Sequence, residues 1–379
     1  MLFKSAFLLL PLLAKAAPAG LTFQNAEMDY PQVFESVDTA DVSLDLEELR
    51  LVQFAADQPP IWISELEKLN AKAAGKKFMD ITETPTLGFT GYFLPSATTA
   101  KYTYPSPGNH TKYIKKLYKS LDIDHMKEVL TKFSSFRTRY YRSETGKQSQ
   151  KWLLSQILEI ASKHKGMSVQ EFPHAWGQNS IIVRFPSAKK ASKDEGPVTI
   201  LGAHQDSTNS WPFLPAPGAD DDGSGTTTSL EALRALADAN FTPNDPVEFH
   251  YFSAEEGGLL GSQAVAKAYE DKGVKVKAML QMDMTAWVQK GTTESVGIIQ
   301  DYVDPDLTTF LEQLVEKYLD IPSVKTQCGY ACSDHASFGK AGYQSAFAIE
   351  STFENSNHHI HTTEDTINHP EFSFTHMRE

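Results

Sequence analysis

From about Tyr113 onward the chain switches repeatedly between two periods of apolar residues. KWLLSQILEIASKH, Lys151 to His164, repeats at helical spacing. NSIIVRF, VTILGAHQD, VEFHYFSAEE, VKAMLQMDM, ESVGIIQD and QSAFAIES are short apolar runs rich in β-branched or aromatic residues, and they predict strands. Between them SLEALRALADAN, GSQAVAKAYEDKG and DLTTFLEQLVEKYLD predict helices. This alternation predicts one α/β domain with a mostly parallel sheet covered by helices on both faces. Upstream, DVSLDLEELRLVQF (Asp41 to Phe54) reads as an amphipathic helix, and the Thr/Pro/Gly/Ser-rich stretch from Thr82 to Gly108 as a linker or exposed loop.

Composition sharpens this picture at the N-terminus. Lys4 precedes an apolar run from Ala6 to Leu13 and then small residues, the pattern of a secretory signal peptide over residues 1–16. The run is far short of the roughly 20 residues that span a bilayer. Secretion makes Cys328 and Cys332, the only two cysteines, candidate disulfide partners, and makes Asn109 and Asn240 glycosylation candidates. The acidic segment 17–85 carries no constellation that does chemistry and is read as a propeptide, the alternative being a small subdomain that stays attached. A net charge of −13 argues against nucleic acid or an anionic membrane as partner.

The chemistry gathers where the predicted strands end. His204 and Asp206 close one run, Glu255 and Glu256 a second, and Asp283 a third. Open α/β sheets place their ligand sites at such carboxyl ends. A turn containing Asp220, Asp221 and Asp222 has no lysine or arginine within it, and His361 lies in a later His/Glu/Asp-rich stretch. One aspartate would serve as a helix cap, but three need another explanation. The contiguous aspartates do not fit the alternating calcium loop. Histidines mixed with carboxylates, and no thiolate, suit zinc with open positions, and a surplus of carboxylates suits two ions bridged by one aspartate. There is no G-x-S-x-G elbow, H-E-x-x-H helix, Walker loop or dinucleotide fingerprint.

GAHQDS, PGADDDGSG, SAEEGGLLGS, QMDM, CGYACSDHASF and HIHTTEDT, in this order from Tyr113 to Thr366, resemble the secreted co-catalytic zinc aminopeptidases, and within them the fungal extracellular leucine aminopeptidases. The resemblance implies a single α/β domain over 86–379 with a mixed, mostly parallel sheet, preceded by an inhibitory propeptide. It implies two zinc ions: His204 and Asp283 on one, Glu256 and His361 on the other, Asp221 bridging them across a cis bond to Asp222. Asp206 would orient His204, and Glu255 would be general base to the metal-activated water. Met284, Phe347, Ile349, Phe353 and Ile360 would line a pocket for a leucine-like first side chain, with Tyr330 held nearby by the disulfide. The implied substrates are peptide N-termini, cleaved by a monomer. A glutaminyl-cyclase-like one-zinc enzyme and a non-catalytic peptidase-like binding domain are the alternatives. The family usually continues through a fuller final helix, so the last helix is expected to be cut short.

Overall fold

The computed structural model describes residues 42–89, 100–188 and 196–379, all within one compact unit; the expected signal peptide lies outside them. The eight-stranded main sheet is built from β4 (Ser168–Phe172), β5 (Ser180–Phe185), β6 (Val198–His204), β7 (Val247–Phe252), β8 (Val276–Met282), β9 (Val296–Ile299), β10 (Ser323–Thr326) and β11 (Ser345–Ile349). Its order is β10-β9-β11-β8-β6-β7-β5-β4. The central β7, β6, β8 and β11 run parallel, whereas β5 pairs antiparallel with β7, β4 with β5, and β9 with β11. The sheet is therefore mixed.

Alternation along the strands explains how both faces are covered. Ile181, Val183 and Phe185 of β5 enter one core together with Leu153 and Ile157 of α4 (Glu144–Ser162) and Leu230 and Leu233 of α5 (Gly223–Asp238). Ile182, between them in sequence, enters the opposite core with Val265 of α6 (Leu260–Lys272) and Phe338 of α8 (His335–Lys340). Helix α7 (Pro305–Tyr318) covers β9 and β11 through Leu307, Leu311 and Val315. At the end of the chain α9 (Phe374–Arg378) docks Met377 against Met126 and Leu130 of α3 (Ile123–Phe133).

The segment expected to form a helix over 41–54 is instead a strand, β1 (Leu49–Gln53), in a three-stranded antiparallel sheet with β2 (Ile61–Ser64) and β3 (Met79–Asp80). The LRLVQ stretch buries alternate residues, and its Arg50 is drawn inward by a partner thirty residues away. Arg50 and Lys68 reach Asp80 at 2.8 and 3.0 Å, and Lys68 also reaches Glu65 at 2.8 Å, with all four side chains almost wholly buried. Burial alone would raise the Asp80 carboxyl; Lys68 and Arg50 more than offset it and hold it below the usual carboxylate range. Helix α1 (Glu65–Ala73) starts at a complete capping box between Ser64 and Glu67.

A second buried network pins β7. Glu248 accepts hydrogen bonds from Arg184 at 2.6 Å and Tyr269 at 2.6 Å and lies 2.8 Å from His250 Nε2. Burial pushes its carboxyl up, but these partners bring it down to about 2, against an ordinary value of 4.5. A depressed carboxylate stabilises the fold above its unfolded pKa, and that contribution is lost as pH falls from about 4.5 toward 2. Glu248→Gln is thus expected to lower stability at pH 7 by up to roughly 3 kcal/mol, with the deficit shrinking toward pH 2.5. Denaturant unfolding at both pH values measures this; an equal deficit at both would refute it.

Candidate functional site

Strands β6, β7 and β8 are adjacent and parallel, so their carboxyl ends open on the same edge. His204 is the last residue of β6 and Asp283 directly follows β8. Glu255 and Glu256, expected at the end of a strand, lie three and four residues beyond β7 in a turn entered through Ala254 at φ 58°. The turn, not strand alternation, sends their side chains to different places.

Asp206 organises this corner. Its carboxylate accepts the backbone N–H groups of Glu255 and Glu256 at 3.1 and 3.2 Å. His204 Nδ1 lies 3.2 Å from the Asp206 carbonyl oxygen and 3.4 Å from its carboxylate. His204 Nε2 then faces Asp221 Oδ1 at 3.1 Å and Asp283 Oδ2 at 3.6 Å. On the other side Asp221 Oδ2 lies 3.1 Å from His361 Nε2, which is 3.0 Å from Glu256 Oε2. One carboxylate, Asp221, stands between the two histidines.

The three neighbouring aspartates have separate environments. Asp222 caps α5 through Gly225 N at 2.9 Å and also accepts from the backbone of His204 and Met284, both at 3.0 Å. It falls within ligand range of His204 and Asp283 as well, yet both its oxygens are committed to backbone N–H groups. Asp221 instead turns one carboxylate oxygen to each of the two histidines. Gly225 is required here, because a Cβ would meet Asp222 Oδ1 at 2.2 Å. Asp220 is turned away, accepting from Ser224 at 2.9 Å and Asn357 at 3.1 Å. The Asp221–Asp222 peptide bond is cis.

Two supports had no distinct signal in the sequence. Asp365 receives the N–H groups of Asp220 and Asp221 at 3.0 and 3.1 Å, holding the turn open from behind; only its place in HTTEDT hinted at it. Arg139, fully buried, donates to the carbonyls of Gln205, Gly218 and Pro217 and lies over the Phe133 ring. It carries no motif that would reveal it.

The electrostatics are unbalanced. Burial pushes Glu255 well above the usual carboxylate range, with Glu256, Asp334 and Asp283 adding to it against the pull of His204. Burial likewise raises Asp220 to about 6, Asp334 to about 7 and Asp365 to about 8. Burial also works against a charged His361, but Glu256 and Asp221 lift it to about 9. Among the described residues, buried Glu256 Oε1 has no hydrogen-bond donor, and His204 Nε2 has only the carboxylates of Asp221 and Asp283 within reach. Among the described residues two groups lie within ligand range, one of His204, Asp222 and Asp283 and one of Asp221, Glu256 and His361. Imidazole nitrogens and carboxylates with orphaned acceptors fit divalent zinc, which binds deprotonated ligands.

The site opens into a cleft of about 480 Å³. Met284, Phe347, Ile349, Phe353 and Ile360 pack together in one wall. Tyr330 lines the cleft beside them, on the loop closed by the Cys328–Cys332 disulfide. Asp301 fixes that loop by accepting from the backbone N–H groups of Cys328 and Gly329 at 3.1 and 2.7 Å. Lys72, Ala73 and Gly75 to Phe78 of the N-terminal segment also line the cleft. Asn109 and Asn240 are both exposed, away from this chemistry.

The profile of peptidase family M28 matches residues 180–378. Leucine aminopeptidase 1 of Chaetomium globosum is 47% identical over 329 residues, covering 83% of this chain and 79% of that protein. Leucine aminopeptidase 1 of Pyrenophora teres f. teres is 45% identical over 99% of this chain and 95% of its own length. Among solved structures, the LapA aminopeptidase of Legionella pneumophila superposes with a TM-score of 0.73 over 90% of this chain and 92% of its own, at 24% identity, a likeness of fold. A profile spanning more than half the chain, together with full-length relatives at this identity, establishes that the chain belongs to peptidase family M28.

Proposed function

We propose that this protein is a secreted zinc aminopeptidase that removes leucine or another large apolar residue from peptide N-termini, using two zinc ions. The observation that carries the reading is the Asp221 carboxylate, with one oxygen 3.1 Å from His204 Nε2 and the other 3.1 Å from His361 Nε2. His204 and Asp283 would hold one ion, Glu256 and His361 the other, and Asp221 both. The resemblance of the chain to leucine aminopeptidases along its length supports the activity. When bound, zinc acidifies water and offsets the negative charge that develops on a scissile carbonyl.

The chain's own residues supply the rest. Glu255 lines the cleft, and its raised affinity for protons suits a group that takes a proton from water and returns it to the departing amine. Asp206 holds Glu255 and Glu256 in register through their backbone N–H groups, so base and ligand keep a fixed spacing. The wall of Met284, Phe347 and Ile349, nearly dry, suits an aliphatic first side chain. A one-zinc cyclase on the same fold needs only one histidine–carboxylate group, and the presence of both, His204 with Asp283 and His361 with Asp221 and Glu256, makes that reading the weaker one.

Glu255 and Glu256 are expected to separate function from metal binding. Glu255→Ala should keep both zinc ions and lose roughly a hundredfold or more in kcat on a leucyl anilide, while Glu256→Ala should lose zinc. Metal analysis with steady-state kinetics decides; a Glu255→Ala protein with wild-type kcat, or one that loses zinc while Glu256→Ala keeps it, would overturn the roles.

We also read residues 17–85 as an inhibitory propeptide, because Lys72, Ala73 and Gly75 to Phe78 line the cleft. The full-length chain should hydrolyse leucyl substrates far more slowly than a form trimmed near Pro85. Equal rates would end the inhibitory reading.

A further inference from the structure

We infer that Lys72 is a built-in competitor for one metal subsite, holding Glu256 in the precursor so that the Asp221, Glu256 and His361 group takes its ion at full affinity only after the lysine has left. The inference rests on the two-zinc and propeptide readings and adds a means by which the second controls the first.

Lys72 lies in the last turn of α1, and its ammonium donates to Glu256 twice, to Oε2 at 2.8 Å and to the carbonyl oxygen at 2.6 Å. The Lys72 side chain is 16% exposed and that of Glu256 3%. The same Oε2 lies 3.0 Å from His361 Nε2, so the ammonium shares its acceptor with the histidine of that subsite. A monovalent and a divalent cation drawing on one buried carboxylate repel each other strongly where water does not screen them.

The lysine is delivered by a pinned element. Lys68, one helical turn earlier and on the same face, is locked between Glu65 and Asp80. The Asp80 N–H in turn donates to Gly258 O at 3.0 Å, two residues past Glu256. Between these anchors, Lys77 Nζ lies 4.9 Å from the centre of the Tyr330 ring, another residue that lines the cleft. Residues 65–80 are therefore fastened at both ends, with Lys72 aimed at Glu256 from between them. A lysine that only neutralised a surface carboxylate would need neither anchor.

The test measures zinc binding instead of turnover. Full-length wild type, full-length Lys72→Met and the trimmed protein are equilibrated in zinc buffered by a chelator, and zinc per chain is determined. Wild-type precursor should take up its second ion roughly tenfold or more weakly than either other form. As a check that needs no variant, saturating zinc should increase amide hydrogen exchange in Glu65–Ala73 of the wild-type precursor as Lys72 is displaced. Equal second-ion affinity in wild type and Lys72→Met overturns the inference, and so does unchanged exchange on saturation if the variant fails to fold. A trimmed protein that binds fewer than two ions would instead sink the two-zinc reading, and this inference with it.

Discussion

Repulsion among buried carboxylates is the constraint that the rest of this structure answers. Asp220, Asp221, Asp222, Asp283 and Glu256 come together at the end of the sheet, and none is more than slightly exposed. A carboxylate removed from water is tolerated when it is paired, hydrogen-bonded or bound to a cation. Asp222 and Asp220 are satisfied by N–H and O–H donors, which leaves Asp221 facing two histidines. The two-zinc proposal is the reading in which that last charge has a purpose.

Everything that surrounds the site maintains this arrangement. The parallel run β7-β6-β8 brings three loop starts to one edge, and each loop contributes to the site. Arg139 ties down the carbonyls ahead of the aspartate turn, Asp365 receives the N–H groups inside it, and Asp206 does the same for the Glu255–Glu256 turn. All three act on the site largely through its backbone, and Asp206 also lies beside the His204 ring. The N-terminal sheet adds a further layer: its own buried ion cluster holds α1 against the cleft.

Much of the fold was legible because the main sheet is built from local patterns. Six apolar runs became strands, and the chemistry at their ends fell on one edge, since adjacent parallel strands must end together. What was not legible depends on distant partners. Arg50 looks like an ordinary polar position in a helical pattern until Asp80 is placed beside it, and the pairing turns the segment into a strand. Arg139 acts only through backbone carbonyls that no local spacing reveals. Lys72 is one lysine among many in the sequence, and only folding brings it 2.8 Å from a carboxylate 184 residues away. The candidate ligands were readable from motif and order; the contacts that hold them were not.

The central claim is that two cations share Asp221. Crystals of the trimmed protein equilibrated with zinc, measured on either side of the zinc absorption edge, test it most directly. The account predicts two anomalous peaks roughly 3.5 to 4 Å apart, both in contact with the Asp221 carboxylate. A single peak at His204 and Asp283, with Glu256 and His361 bare at saturating zinc, would contradict it.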